Sequence, residues 1–261
     1  MITVKTPREI DLMREVGRVV AGILNTVEKY VKAGVTTKEL DQIAEDFVLS
    51  QGAKPAFKGY GFDKRNLFPA TICLSIDDQV VHGIPGSRKL EEGQLLSVDV
   101  GAIKNGYYGD AAKSFAVGNV SDEKKKLMKV TKKALYIGIE SAIAGNHVED
   151  ISHAVQEYVE GNGFSVVRDL VGHGIGTKLH EYPPVPNYGK KGKGPLLRNG
   201  MTIAIEPMVN AGSYRVYTAR DGWTVYTSDG KPSAHFEHTV VITDEKPEIL
   251  TLSNPEDPSD G

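Results

Sequence analysis

Two hydrophobic periods alternate along this chain. Ile10, Met13, Val20, Leu24, Val27 and Val31 fall at helical spacing, which predicts a helix with one apolar face. Ahead of them, Thr6-Pro7-Arg8-Glu9 has the form of a capping box with Pro at the first helical position. Thr36-Thr37-Lys38-Glu39 opens a second helix with Leu40, Ile43 and Phe47 on one face, Ser121-Asp122-Glu123 opens a third, and a fourth is expected over about 148–159. Strands are expected at 71–82, 95–103, 107–117, 201–209 and 235–243, and Lys104-Asn105-Gly106 is a hairpin turn signal. Paired helices and hairpin strands together predict an α+β fold with an antiparallel sheet.

The pattern repeats once. Gly34-Val35-Thr36-Thr37-Lys38-Glu39-Leu40 resembles Gly145-Asn146-His147-Val148-Glu149-Asp150-Ile151, and Phe47/Tyr158 and Gly52/Gly163 keep the same offset. His82-Gly83-Ile84 returns as His173-Gly174-Ile175. Gly93 precedes Asp99, and Gly200 precedes Glu206, by the same interval, and both carboxylates end apolar runs. A single such match is chance-level; four in one order favour duplication. The expectation is one catalytic domain over 1–261, with halves of about 1–120 and 121–250 packed around a shared site and a short C-terminal tail.

Composition narrows the class without naming a function. With 40% apolar residues in 261, the chain can bury a sizeable core. A net charge of −3 gives no reason to expect a nucleic-acid or anionic-membrane partner. No apolar run approaches the roughly 20 residues of a membrane span, and the N-terminus carries no signal-peptide pattern. The single cysteine, Cys73, excludes an internal disulfide. A cytoplasmic protein is expected.

The anomaly lies in the strands. Asp99 stands between Val98 and Val100, Glu206 between Ile205 and Pro207, and Glu237 between Phe236 and His238; Asp110 lies across the Asn105-Gly106 turn from Asp99. Two residues equidistant from a hairpin turn can face each other. An ionised carboxylate in an apolar strand costs several kcal/mol unless it is paired or metal-bound. Basic residues are scarce in these segments, Lys113 being the nearest, so a metal cluster explains the four better than salt bridges. His173, in the Gly-flanked turn 172–176, offers a nitrogen ligand. Four carboxylates would be neutralised by two divalent ions, with some ligands bridging. Oxygen-rich ligation with one imidazole suits Mn, Fe(II) or Co, and Zn could also occupy it.

Asp99, Asp110, His173, Glu206 and Glu237 resemble the metal set of the methionine aminopeptidases. Four further stretches carry the same resemblance: Val80-Val81-His82-Gly83-Ile84-Pro85, Gly172-His173-Gly174-Ile175-Gly176, Ile205-Glu206-Pro207-Met208-Val209-Asn210-Ala211-Gly212 and Asp221-Gly222-Trp223-Thr224-Val225. The similarity runs from about residue 5 to residue 250. Glu206 and Glu237 are close in sequence and no Cys-rich extension precedes Thr6, which resembles the short bacterial type I form. The resemblance implies the pita-bread fold, a pseudo-two-fold α+β domain whose curved antiparallel sheet is covered by helices. It also implies removal of the N-terminal Met from peptides and nascent proteins, with a small second residue preferred and a metal-activated hydroxide attacking the scissile carbonyl.

By the same resemblance, His173, Glu206, Asp110 and Glu237 would hold one ion, and Asp99, Asp110 and Glu237 the other. Glu206 would act as general base, His180 would bind the carbonyl oxygen and His82 the scissile amide nitrogen. Tyr60, Phe68, Cys73 and Trp223, with Phe57 and Leu179 nearby, would form the methionine pocket, Cys73 as a wall and not a nucleophile. Three departures concern pocket detail: a longer 61–67 stretch, Gly101 where relatives often have Thr, and Leu179 where an aromatic is common. The Gly- and Lys-rich stretch 189–194 lacks a phosphate-binding pattern and is expected to be a solvated loop; the ribosome stays open as a partner. A monomer is expected. An X-Pro aminopeptidase on the same fold and a non-enzymatic binding module are the alternatives.

Overall fold

The computed structural model describes residues 2–61 and 63–252. Met1, Phe62 within the long 61–67 stretch, and the expected tail past Leu252 lie outside the described residues. The first half contributes α1 (Pro7–Glu28), α2 (Thr37–Ser50), β1 (Lys54–Pro55), β2 (Ile72–Ile76), β3 (Gln79–Val81), β4 (Leu95–Lys104) and β5 (Tyr107–Ala116). Then follow α3 (Asp122–Glu140), α4 (Val148–Gly161), β6 (Ser165–Val166), β7 (Gly172–Gly174), β8 (Glu181–Val185), β9 (Thr202–Ile205) and β10 (Met208–Asn210). The chain closes with β11 (Val216–Thr218), β12 (Val225–Thr227), β13 (Ser233–His235), β14 (Glu237–Val241) and β15 (Glu248–Ile249).

The helices start where the capping chemistry places them. Thr6 and Glu9 form a reciprocal box on α1, as do Thr36 and Glu39 on α2, and the Ser121 side chain accepts from Lys124 N–H on α3. Each cap contributes about 1 kcal/mol. Packing contributes more: Val16, Val20, Ile23 and Val27 of α1 are fully buried, each worth up to about 1.5–3 kcal/mol. Val31 keeps the helical period, yet the helix ends at Glu28.

One nine-stranded sheet has the order β1-β4-β5-β14-β9-β7-β8, with β2 also on β4 and β15 on β14. Its pairings are all antiparallel. The β5–β14 pairing, Glu237 opposite Ala112, joins strands of the two halves. Helices α1 and α2 pack on β4, β5 and β2, while α3 packs on β9 and β14 and α4 packs on α3 and β8. Two three-stranded sheets, β13-β10-β6 and β11-β12-β3, flank the main one.

Several expected strands are broken where polar residues must turn. Asp77, at φ +55°, splits 71–82 into β2 and β3. Pro207 has no N–H to give a ladder, so 201–209 divides into β9 and β10 with Glu206 at the break. Phe236, whose N–H turns to the Pro207 carbonyl, separates β13 from β14. His173, expected in a turn, lies in β7 and pairs with Pro184 and Ala204. The β4–β5 hairpin turns through Asn105 and Gly106, both at positive φ, and its register sets Asp110 opposite Gly101 and Asp99 opposite Ala112. Asp99 and Asp110 are therefore diagonal neighbours on one face, not direct partners.

Candidate active site

The strand ends converge on a cavity of about 180 Å³. Its lining includes every candidate named from the sequence: Asp99, Asp110, His173, Glu206 and Glu237 at the acidic end, the imidazoles of His82 and His180, and Tyr60, Phe68, Cys73 and Trp223. Phe57 and Leu179 line it too, together with Val81, Leu170, Val171 and Met208, which sequence reasoning did not single out.

Each acidic side chain is fixed by its strand. Asp99 sits mid-β4, paired to Cys73 of β2 and Ala112 of β5. Asp110 is clamped by Thr239, whose hydroxyl accepts from Asp110 N–H and donates to Asp110 C=O. Glu237 opens β14, and Glu206 follows β9 next to it in the sheet. His173 Nε2 lies 3.6 Å from Glu206 Oε1 and 3.8 Å from Asp110 Oδ2. Donor atoms of Asp110, His173 and Glu237 all lie within 4.8 Å of one another. Asp99 and Glu206 adjoin that triad, Asp99 as the diagonal neighbour of Asp110 across β4 and β5 and Glu206 by facing His173.

These groups fit a divalent metal. Asp99 Oδ1, Asp110 Oδ1 and Glu237 Oε1 are buried without a hydrogen-bond partner among the described residues, which costs free energy that a cation would recover. Among the described residues no Lys or Arg lines the cavity. His173 Nδ1 hydrogen-bonds to the Gly174 carbonyl at 2.9 Å; with Nδ1 as donor, the Nε2 lone pair is left free toward the carboxylates. Burial, and to a lesser degree the His180 ring, pushes His173 down to about 3, which keeps it neutral. The carboxyls move the other way. Burial takes Asp99 up to about 7, against the hydrogen bond from Asp110. Asp110, Glu206 and Glu237 rise well above the carboxylate range through burial and then each other's charge. Burial and crowding of this kind favour the neutral form of the acids, and a nearby positive charge favours the ionised form.

The two remaining imidazoles are differently held. Tyr60 OH and His180 Nδ1 are 2.5 Å apart, and the His180 ring meets His173 edge-on at 4.2 Å. The next residue, Glu181, is tied to the N-terminal segment: its Oε2 accepts from Lys5 Nζ at 2.7 Å and Thr3 Oγ1 at 2.6 Å. His82 follows β3 at φ +58°, an unfavourable conformation for a side-chain-bearing residue. Gly83 beside it has no room for a Cβ, which would collide with the Leu74 carbonyl. Burial, then the His180 charge, lowers His82 to about 4.

The apolar end is aromatic. Phe68 and Trp223 meet edge-to-face at 5.3 Å, Trp223 is anchored by its Nε1–H to the Asn66 carbonyl, and Asp221 holds the Trp223 and Thr224 amides. Gly101 explains itself here: a Cβ would come 2.6 Å from the Phe57 ring. Cys73 is buried, and burial raises its thiol well above the usual range, which suits a wall and not a nucleophile. Behind the acids stands His235, absent from the sequence reading. Its available signal was the His-x-Glu alternation with Glu237, which places both on one face of an extended segment.

A sequence model of metallopeptidase family M24 matches residues 11–244. A methionine aminopeptidase of Clostridium perfringens is 54% identical over 97% of this chain and 99% of its own length. Methionine aminopeptidase 1 of Bacillus subtilis is 55% identical over 96% of this chain and 99% of its own. The crystal structure of methionine aminopeptidase from Thermotoga maritima superposes with a TM-score of 0.93 at 45% identity, covering 97% of this chain and 100% of that one.

Proposed function

The chain belongs to metallopeptidase family M24, in its methionine aminopeptidase branch, and from that premise we propose how its residues perform the reaction. It is a metal-dependent peptidase with the pita-bread fold. In our reading Asp99, Asp110 and Glu237 would hold one divalent ion, and His173, Glu206, Asp110 and Glu237 would hold a second, with Co, Mn, Fe(II) or Zn as candidates. The observation that carries it is the set of buried carboxylate oxygens with no partner. When bound, such a pair supplies Lewis acidity to a water and to the scissile carbonyl.

The protein's own groups do the rest. Glu206, facing the His173 imidazole, accepts the proton of the attacking water and returns it to the leaving amine. His180, held by Tyr60, donates to the carbonyl oxygen as negative charge develops there. His82, neutral and fixed by its backbone, contacts the scissile amide nitrogen. Phe57, Tyr60, Phe68, Cys73, Leu179 and Trp223 take the unbranched thioether, for which aromatic faces are good partners, and a small second residue is preferred. We read the chain as a cytoplasmic monomer acting on emerging N-termini, the ribosome being a candidate neighbour.

The test is Met release from Met-Ala-Ser after EDTA stripping and stepwise return of Mn, Fe(II), Co or Zn. Activity should vanish and then return with metal. Faster cleavage of Xaa-Pro peptides would move the chain to the X-Pro type. Absence of any divalent ion after metal supply under reducing conditions would favour a binding module.

A further inference from the structure

One polar side chain beside the acids has no part in the steps above. His235 ends β13 and is 1% exposed. Neither of its ring nitrogens has a hydrogen-bond partner among the described residues. Buried polar groups are nearly always paired, because an unpaired one keeps its whole desolvation cost. The backbone cannot relieve this. His235 N–H donates to Ser114 Oγ at 2.9 Å, Ser114 Oγ donates back to His235 C=O at 2.9 Å, and Ser114 is itself joined to Ser97 at 2.8 Å. The ring is thus held with Nε2 3.9 Å from Glu206 Oε2 and 3.9 Å from Glu237 Oε2. Glu206 stands between two imidazoles, one oxygen toward His173 and the other toward His235.

We propose that His235 is a positioning residue, whose Nε2–H steers the Glu206 and Glu237 carboxylates so that their remaining lone pairs point to the ions. The inference rests on the reading of those two residues as metal ligands. A neutral imidazole has one N–H to give, and hydrogen bonds at catalytic sites are often long until the site is loaded. A closure of about 1 Å would bring Nε2 into ordinary hydrogen-bond range. Partners of this kind set ligand direction and basicity, and their loss typically costs 10–100-fold in metal affinity or activity.

The experiment compares wild type, His235→Leu and His235→Gln. It measures Mn(II) affinity by calorimetry, kcat and KM for Met-Ala-Ser, and the melting temperature of the metal-free proteins. His235→Leu should bind Mn(II) about 10–100-fold more weakly and lose kcat, with KM within about two-fold of wild type. His235→Gln, which keeps an N–H, should recover most of both. Metal-free His235→Leu should melt no lower than wild type, since the unpaired nitrogens are gone. Wild-type affinity and kcat in His235→Leu would overturn the proposal, and so would equal impairment of both variants. Failure of wild type to take up Mn(II) would instead overturn the ligand reading, and this inference with it.

Discussion

Replacing Lys5 by Met should both destabilise the protein and slow catalysis without disturbing metal binding. The Lys5 and Glu181 side chains are only 5% and 9% exposed and 2.7 Å apart. Removing the cation leaves Glu181 buried with Thr3 as a remaining donor. Breaking one partner of a buried pair costs about 3–5 kcal/mol; with Thr3 still present the lower end, about 3 kcal/mol, applies. For a chain of this size each kcal/mol moves the melting temperature by about 2–4 °C, so a fall of roughly 6–12 °C is expected by scanning calorimetry. Glu181 directly follows His180, so kcat for Met-Ala-Ser should fall while Mn(II) affinity holds. Burial raises Glu181, but its hydrogen bonds to Lys5 and Thr3 outweigh that and hold it below the ordinary value. The lowered pKa means this contribution is present above the ordinary carboxylate range and lost as pH falls through the folded value. The gap between Lys5→Met and wild type should therefore narrow on acidification. A Lys5→Met/Glu181→Leu double variant should recover much of the loss, because no charge remains unpaired. A melting temperature within about 1 °C of wild type for Lys5→Met, or a double variant as unstable as the single, would refute the reasoning.

Gly101→Ala should drive the Phe57 ring toward the cavity, since the new Cβ would stand 2.6 Å from it; overpacking of this kind costs about 1–3 kcal/mol, and denaturant melts with KM for Met-Ala-Ser should show a stability loss and a raised KM. Metal uptake near neutral pH should release protons, because the site's carboxyls are raised, Asp99 to about 7, and ligands must ionise; calorimetry in buffers of different ionisation enthalpy measures the number. The same raised groups stabilise the metal-free fold at low pH and lose that effect as pH climbs through their folded values. The lowered pKa values of His173 and His235, each about 3, act in the opposite sense but are complete above the ordinary His value of about 6.5. The melting temperature of EDTA-treated protein should therefore fall between about pH 6.5 and 8.

The parts legible in the sequence were those set by local chemistry. Thr6-Pro7-Arg8-Glu9 and Thr36-Thr37-Lys38-Glu39 announced their helices because a capping box is closed within four residues. Asp99, Asp110, Glu206 and Glu237 stood out because an apolar strand gives a carboxylate no reason to be there. What escaped depended on distant parts of the chain. The β4–β5 register was the exception: it is symmetric about Asn105-Gly106, pairing Lys104 with Tyr107, and Asp110 lies nearer that turn than Asp99 does, so it falls opposite Gly101. His173 is a strand residue because β8 and β9 flank it, and glycines on both sides disguised that. His235 gave too weak a signal beside Glu237, since its significance lies in Glu206, which reaches it only through the fold. The Lys5–Glu181 tie spans 176 residues and has no local trace at all.

Anomalous diffraction from crystals of the Mn(II)-loaded protein tests the ligand set most directly. Two peaks roughly 3.5–4 Å apart, enclosed by Asp99, Asp110, His173, Glu206 and Glu237, are predicted. A single ion, ions bound elsewhere, or a pair that leaves any of those five side chains unengaged would contradict the account.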